Sequence, residues 1–266
     1  MSNPLADMEK PDAIFCIGTN MTECHPVAAT GIKKAVARGA RLIVADPRRI
    51  PLVEHASLHL PLRVGSDVAL LLGMAHVIER EGLVDVDFVQ RRTEGAEAFL
   101  EHVKSFSPQW AEGITGVPAA NIETAAIWYA EADRGAIYYP LGITEHTHGT
   151  DNVYGLANLV LLTGHLGVKS AGMNPLRGQN NVQGASDMGC MPYHYPGYME
   201  VSKPENASKW ENAWNMEPGS LSLEKGLTTT EILSSVGTGG VRGLYIMGEN
   251  PMMTEPNLNK TRHHIE

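Results

Sequence analysis

Residues 13–47 read AIFCIGTNMTECHPVAATGIKKAVARGARLIVADP, and this stretch decides the fold. The runs at 13–17 and 41–45 are apolar apart from Arg41 at the start of the second, which is typical of buried strands. Between them the sequence predicts a helix over 26–38, because a proline suits its first turn and a glycine follows it as the usual left-handed terminator. The order strand, helix, strand predicts a parallel sheet that is flanked by helices.

The alternation of strands and helices continues through the first part of the chain. Strands are predicted over 57–62 and 136–141, and helices over 68–80, 86–93, 95–104, 119–132 and 152–166. Residues 167–192 are rich in Gly, Asn, Gln and Ser and lose all periodicity, which predicts a long functional loop. Residues 193–223 are predicted to be irregular, and a helix over 230–236 and a strand over 243–247 follow.

Length and pattern together predict two domains. A chain of 266 residues exceeds the usual size of one domain. We therefore expect an α/β protein. Residues 1–178 should form a three-layer parallel-sheet domain resembling a dinucleotide-binding fold, and residues 179–266 part of a second α/β domain.

Composition excludes several classes of protein. The sequence is 43% hydrophobic and 19% charged, which is ordinary for a globular chain. Its formal net charge is -9 and its basic clusters are short, which argues against nucleic-acid binding. No apolar run reaches the length of a membrane span and no signal-peptide pattern opens the chain, so we expect a cytoplasmic protein. The cysteines lack metal-type spacing, and Cys16 is expected to be a buried, reduced thiol.

Small and polar residues follow four of the predicted strands. These segments are GTN (18–20), DPR (46–48), GIT (142–144) and GEN (248–250). The carboxyl ends of parallel strands form a ligand crevice, so the pattern predicts a nucleotide-like ligand. A full G-x-G-x-x-G fingerprint is absent, which leaves an NAD site without support. Asp46 could accept hydrogen bonds from a ribose or a guanine edge, or could serve only to turn the chain.

A second polar feature lies at residues 174–185, NPLRGQNNVQGA. Its amides and glycines suit close approach of the backbone to a polar ligand. Arg177 supplies a guanidinium that can bind a carboxylate or a phosphate through two hydrogen bonds, although an arginine in a polar loop is more often only solvated. The residues alone leave both interpretations open.

Six segments resemble one known family, in the same order along the chain. The loop NPLRGQNNVQGASDMG (174–189) closely resembles that of formate dehydrogenase catalytic subunits, which belong to the molybdopterin oxidoreductase superfamily. The other five are IGTNMTECHP (17–26), ADPRR (45–49), GSD (65–67), LGITEHTHGTDNV (141–153) and MGENP (247–251). The resemblance covers nearly the whole chain and corresponds to the middle portion of such a subunit.

The resemblance implies a bis-molybdopterin guanine dinucleotide cofactor with Mo or W. One guanosine half would be held by Gly18, Asn20, Glu23, Asp46, Arg48, Gly65 and Asp67. Gly142, Ile143, Thr144 and His146 would lie beside the pterins, with Gln179 and Asn180 near the cofactor. Arg177 would orient the substrate, formate, and the second guanosine half would touch Gly248, Glu249 and Asn250. No metal ligand can be named, and the pair His146 and His148 lacks the further ligands of a zinc site.

The sequence also departs from that family. The cysteine set for a 4Fe-4S cluster is absent, and so is the metal-ligating cysteine or selenocysteine followed by histidine. We therefore expect a fragment that does not oxidise formate alone, whose intact parent passes electrons to iron–sulfur or diaphorase-type partner subunits. Three alternatives stay open: a related enzyme such as a nitrate reductase, a noncatalytic scaffold module of an electron-transfer complex, and a generic nucleotide-binding α/β domain.

Overall fold

The computed structural model describes residues 3–266. The chain falls into two compact units that divide between Gly178 and Gln179. A five-stranded sheet organises the first unit, and a two-stranded sheet lies in the second.

The five-stranded sheet is parallel throughout. Its strands are β1 (Ala13–Ile17), β2 (Arg41–Ala45), β3 (Leu58–Leu60), β4 (Gly135–Tyr139) and β5 (Gly172–Pro175). Their spatial order is β3-β2-β1-β4-β5, with parallel pairing at each step. From β1 the chain first adds β2 and then β3 on one side of the sheet. It later returns to add β4 and β5 on the other side of β1. A ligand crevice is expected where this direction changes, at the carboxyl ends of β1 and β4.

Helices connect the strands of the first unit. They are α1 (Met21–Cys24), α2 (Pro26–Ala37), α3 (Asp67–Arg80), α4 (Val86–Arg92), α5 (Ala96–Val103), α6 (Pro108–Thr115), α7 (Ala119–Ala130), α8 (Leu141–Thr144) and α9 (Gly149–Leu162). Two 3-10 turns accompany them, Leu5–Glu9 and Pro51–His55.

The sheet is covered on both faces. Phe15 and Ile17 belong to a buried cluster with side chains of α3, α6, α7 and α9. Ile14 and Cys16, which point the other way in the same strand, pack with side chains of α2. Burial on both faces explains why the strands are continuous apolar runs, since neither face meets water. The predicted α/β fold with a parallel sheet between two helical layers is confirmed.

The second unit is built from short elements. They are α10 (Val182–Asp187), β6 (His194–Tyr195), β7 (Met199–Glu200), α11 (Pro204–Ala213), α12 (Thr229–Val236), α13 (Pro251–Thr254) and α14 (Leu258–Ile265). The strands β6 and β7 pair antiparallel. The buried carboxylate of Glu211 accepts the backbone N–H of Leu221 at 3.0 Å and so ties α11 to the following loop.

Some predicted elements were wrong. The strand expected over 243–247 has no regular structure, because no neighbouring strand of the described chain pairs with it. The stretch 167–192 contains β5 and α10, which its polar composition concealed. Residues 193–223 contain β6, β7 and α11. The helix α6 was missed as well, although Ser107 caps it by accepting the backbone N–H of Trp110 at 3.2 Å.

No helix within residues 3–266 combines the length and the apolar character that crossing a bilayer requires.

Candidate functional site

A cavity of about 210 Å³ opens at the carboxyl edge of the sheet, where the strand order changes direction. The loops after β1, β2, β3 and β4 form its walls. Many of the residues predicted from the sequence line it together, namely Gly18, Asn20, Asp46, Arg48, Gly65, Asp67, Gly142 and His146. The strand topology thus brings one crevice together from segments that are far apart in the sequence.

Backbone approaches backbone at the floor of this crevice. Gly18 has a φ of +59°, and a Cβ placed there would lie 2.7 Å from the carbonyl carbon of Gly142. Its N–H donates to the carbonyl of Ala45 at 3.0 Å, which ties the turn after β1 to the end of β2. Only glycine permits both the left-handed conformation and this approach. The floor is therefore lined by peptide groups, as a phosphate or a heterocycle edge requires.

Asp46 is fixed at one wall. Its side chain is 6% exposed, and Oδ1 accepts the backbone N–H of Arg48 at 2.9 Å. Nε2 of His59 donates to the Asp46 carbonyl at 3.0 Å. The Arg48 side chain extends into solvent, with its Nε 3.8 Å from Asp46 Oδ1. Within residues 3–266 no hydrogen bond engages Oδ2, so this oxygen can accept from a ligand.

Two histidines and an aspartate form another wall. Nε2 of His146 donates to the Gly142 carbonyl at 2.9 Å, and Nε2 of His148 donates to the Gly65 carbonyl at 3.3 Å. The two rings stack with centroids 5.9 Å apart. Burial raises the pKa of Asp67, while a backbone hydrogen bond and then the two histidines lower it. The carboxylate at the start of α3 and the imidazoles are therefore electrostatically coupled.

Not every predicted residue lines the crevice. Glu23 lies exposed in α1, and Ile143 is the buried residue of α8. The Thr144 hydroxyl donates to the Pro140 carbonyl at 3.3 Å, a bond within its own turn. These three residues shape the turns around the crevice rather than its surface.

Two further residues contribute and were missed from the sequence. Arg63 lines the cavity, and its Nη1 donates to the carbonyls of Gly113 and Ile114 at 3.0 and 3.1 Å. Asn152 is completely buried, and its Nδ2 donates to the Ile143 carbonyl at 2.7 Å. Asn152 could have been noticed as a polar residue near the start of a mostly apolar helix, whereas nothing in the sequence marks Arg63.

Arg177 lies just beyond β5, at the same carboxyl edge. The backbone N–H of the preceding residue, Leu176, donates to the Tyr139 carbonyl at 2.8 Å. This bond continues the pairing of β5 with β4. The Arg177 carbonyl accepts from Nε2 of His25 at 2.7 Å. Its side chain is exposed. Burial raises the pKa of the Tyr139 phenol, and the charge of Arg177 offsets part of that rise. The guanidinium therefore lies within electrostatic range of a buried phenol.

The remaining predicted residues belong to the second unit. Gln179 and Asn180 are exposed in the loop before α10. Gly248 is left-handed, with a φ of +72°. The Glu249 carboxylate accepts from the Thr254 hydroxyl at 2.7 Å, and Oδ1 of Asn250 accepts the N–H of Met252 at 3.1 Å. Both side chains thus form local bonds around the start of α13.

The described residues offer no preformed metal centre. Within residues 3–266, no group of three or more His, Cys, Asp or Glu side chains is placed to hold a metal ion.

The fold and the crevice define an α/β protein of the doubly wound class. The model of the molybdopterin oxidoreductase family matches residues 1–266, and the chain belongs to this family. Formate dehydrogenase H of Escherichia coli (strain K12) is 42% identical over 100% of this chain and 37% of that protein. The assimilatory nitrate reductase catalytic subunit of Bacillus subtilis (strain 168) is 33% identical over 97% of this chain and 36% of that protein.

One solved structure has a similar fold. Acetylene hydratase from Pelobacter acetylenicus superposes with a TM-score of 0.58 at 29% identity, covering 63% of this chain and 25% of that chain. The chain spans little more than a third of the length of the curated relatives that it matches. Membership of the family implies a molybdopterin cofactor with Mo or W.

Proposed function

We propose that this chain is part of a formate dehydrogenase catalytic subunit, in which it supplies one guanosine pocket and the arginine that orients formate. The observation that carries the proposal is Arg177, an exposed guanidinium whose backbone is held on both sides at the carboxyl edge of the sheet. The 42% identity to a formate dehydrogenase over the whole chain supports the choice of substrate.

The residues of the crevice fit the guanosine end of a molybdopterin guanine dinucleotide. The glycine floor allows a flat or anionic group to approach the backbone. The free oxygen of Asp46 can accept from the N–H groups of a guanine edge. Arg48 and Arg63 place positive charge at the rim, where a diphosphate would need it. When bound, such a cofactor supplies the two-electron redox chemistry of the reaction.

Arg177 suits formate for a geometric reason. Formate is a small planar carboxylate, and a guanidinium offers two parallel N–H donors that match its two oxygens. Bidentate binding fixes the plane of the anion and so the direction of its C–H bond. Oxidation of formate releases CO2, one proton and two electrons. The role of Arg177 is to hold the anion in one orientation while this happens.

Several finer points belong to the same proposal. We assign the second guanosine half to Gly248, Glu249 and Asn250, and contacts near the cofactor to Gln179 and Asn180. The cofactor would be the bis-guanine dinucleotide form with Mo or W. A 4Fe-4S cluster and iron–sulfur or diaphorase-type partners would receive the electrons. A cytoplasmic location fits the free state of all three cysteines.

Reduction of nitrate is the second candidate function. The 33% identity to a nitrate reductase over nearly the whole chain favours it. Nitrate is also planar and anionic, so Arg177 could bind it in a similar way.

The test compares substitutions in the cofactor-loaded enzyme that carries this chain. Replacing Arg177 with Ala should lower kcat/KM for formate by about 10²–10³, because a charged group that orients the substrate is lost. Arg177→Lys should recover only part of the activity, since an ammonium cannot form two parallel bonds. Arg92→Ala is the matched control, because this exposed arginine lies at the end of α4.

The outcomes distinguish the candidates. Formate oxidation that is equal in wild type and Arg177→Ala, at matched metal content, would remove Arg177 from the mechanism. Reduction of nitrate without oxidation of formate would establish the second candidate instead.

The cofactor site has its own test, which needs no turnover. Asp46→Ala should lower the pterin and metal content of the purified protein several-fold, because a fixed carboxylate acceptor is lost. Glu54→Ala, an exposed carboxylate on the turn after β2, is the control. A wild-type protein that carries no pterin when its relatives do would support the scaffold alternative.

A further inference from the structure

His25 lies at the junction of two helices. It ends α1 and begins α2, with φ -139° and ψ 57°, and Pro26 follows it. A proline disfavours the helical conformation in the residue before it, which explains the break between the two helices. The backbone N–H of His25 donates to Met21 at 2.8 Å, and its carbonyl accepts from Ala29 at 2.9 Å. Both backbone groups are hydrogen-bonded, so the backbone from which the side chain extends is held in place.

The imidazole of His25 reaches a residue that is far away in sequence. Its Nε2 lies 2.7 Å from the carbonyl oxygen of Arg177. A carbonyl can only accept, so Nε2 carries the proton. Nδ1 is buried and has no hydrogen-bond partner within residues 3–266. The Nε2–H tautomer is therefore selected by this single bond.

Few other contacts fix the backbone at Arg177. Strand pairing ends with the N–H of Leu176, which donates to Tyr139. Pro175 has no N–H to offer, and among the strands within residues 3–266 β5 pairs with β4 alone. A Cβ added at Gly178 would meet nothing within 4 Å. Within the described part of the first unit, residues 3–178, Arg177 is therefore the last residue whose backbone makes a hydrogen bond.

We propose that His25 is a positioning residue for Arg177: its imidazole holds the Arg177 carbonyl and so fixes where the guanidinium points. This role rests on the proposed function of Arg177 in binding formate. His25 itself does not touch the substrate. It acts by restricting the backbone from which the catalytic side chain extends, which lowers the number of unproductive orientations.

The first test uses trypsin on the 266-residue chain without added cofactor. Trypsin cleaves after arginine, and the bond after Arg177 contains the carbonyl that His25 holds. His25→Met keeps the side-chain size but loses the donor, and should raise cleavage after Arg177 by about five-fold relative to cleavage after the exposed Arg242. His25→Gln keeps an N–H donor near the Nε2 position and should restore most of the protection. His55→Met, on an exposed turn, is the control.

The second test uses the cofactor-loaded enzyme. His25→Met should lower kcat/KM for formate by about ten-fold at unchanged metal content, through a higher KM and a lower kcat. In an Arg177→Ala background the same substitution should change kcat/KM by less than about two-fold, since two residues that act through one another are not additive. A residue that only supported the fold would give equal losses in both backgrounds.

The failures of the two proposals can be told apart. Unchanged relative cleavage after Arg177 in His25→Met would overturn the positioning role, whatever the enzyme does. A full effect of Arg177→Ala together with no effect of His25→Met would overturn it too. Loss of protection in His25→Met, together with no formate oxidation by the cofactor-loaded enzyme that carries this chain, would instead leave the contact in place and refute the proposed function.

Discussion

The two units of this chain differ in how much apolar surface they bury. In residues 3–178 a parallel sheet has helices on both faces, and two extended clusters of hydrophobic side chains are inaccessible to solvent. In residues 179–266 the buried hydrophobic side chains are Tyr195, Ala207 and Leu233. Tyr245 and Met247 of the same unit are 91% and 81% exposed. A sheet with two covered faces creates a core, whereas a short hairpin with small helices does not.

The largest expected effect concerns folding of the two units in isolation. Residues 1–178 expressed alone should unfold in one cooperative transition, because nearly all the buried apolar surface is theirs. Residues 179–266 alone should show no cooperative transition in circular dichroism or calorimetry. Cooperative unfolding of residues 179–266 by themselves would show that the second unit has a stable core of its own.

A matched pair of leucines measures the difference at single residues. Leu42 in β2 is fully buried, and Leu42→Ala should lower the free energy of unfolding by about 3–5 kcal/mol. Leu233 in α12 is 7% exposed, and Leu233→Ala should lower it by about 1–2 kcal/mol, because few neighbours surround the resulting cavity. Urea titration of both variants of the whole chain checks the prediction. Equal losses would mean that the second unit is packed as tightly as the first.

Two left-handed glycines, one in each unit, compare how closely other atoms pack against the backbone. Gly18→Ala should cost about 2–4 kcal/mol, since the residue is left-handed and a Cβ would collide with Gly142. Gly248 is also left-handed, but a Cβ there meets nothing within 4 Å, so Gly248→Ala should cost only about 1–2 kcal/mol. Thermal unfolding and pterin content should both respond more strongly to the first substitution. The reverse order would mean that the floor of the crevice is not as close-packed as described.

The smallest effect is a dependence on pH in the first unit. His165 is 3% exposed, and burial lowers its pKa, although a hydrogen bond to the Tyr129 carbonyl and the charge of Asp85 raise it. The unfolded chain therefore binds a proton at His165 more readily than the folded chain does. Stability is complete above the ordinary histidine pKa of about 6.5 and is lost as pH falls through the lowered folded value. Urea midpoints at several pH values should show this loss, and His165→Gln should reduce it. If the urea midpoint of His165→Gln fell with pH as steeply as that of the wild type, His165 would not be the source of the loss of stability.

Apolar runs made much of the first unit predictable. The strands β1, β2 and β4 and the helix α2 follow the sequence pattern to within a few residues, because burial on both faces demands uninterrupted apolar side chains. The strand β5 has the sequence Gly-Met-Asn-Pro, and only the free edge of β4 makes it a strand. The run at 243–247 has the better strand composition yet stays irregular, since a strand exists only by pairing.

The candidate site was predictable where it depends on topology. Polar residues after parallel strands must share one edge, so the grouping of Gly18, Asp46 and Gly142 could be expected. The roles of Arg63 and His25 could not, because each depends on hydrogen bonds to backbone carbonyls distant in sequence. Such contacts leave no periodic signal.

The distribution of the three thiols makes the chain suitable for distance measurements. Cys16 lies inside β1 at 0% exposure, and burial raises its pKa, so it offers almost no reactive thiolate to a maleimide. Cys24 in the first unit and Cys190 in the second are exposed. The unmodified protein can therefore carry one spin label on each unit without any engineered substitution. Pulsed electron resonance on that doubly labelled chain would give the separation of the two units, and its change when a ligand is added.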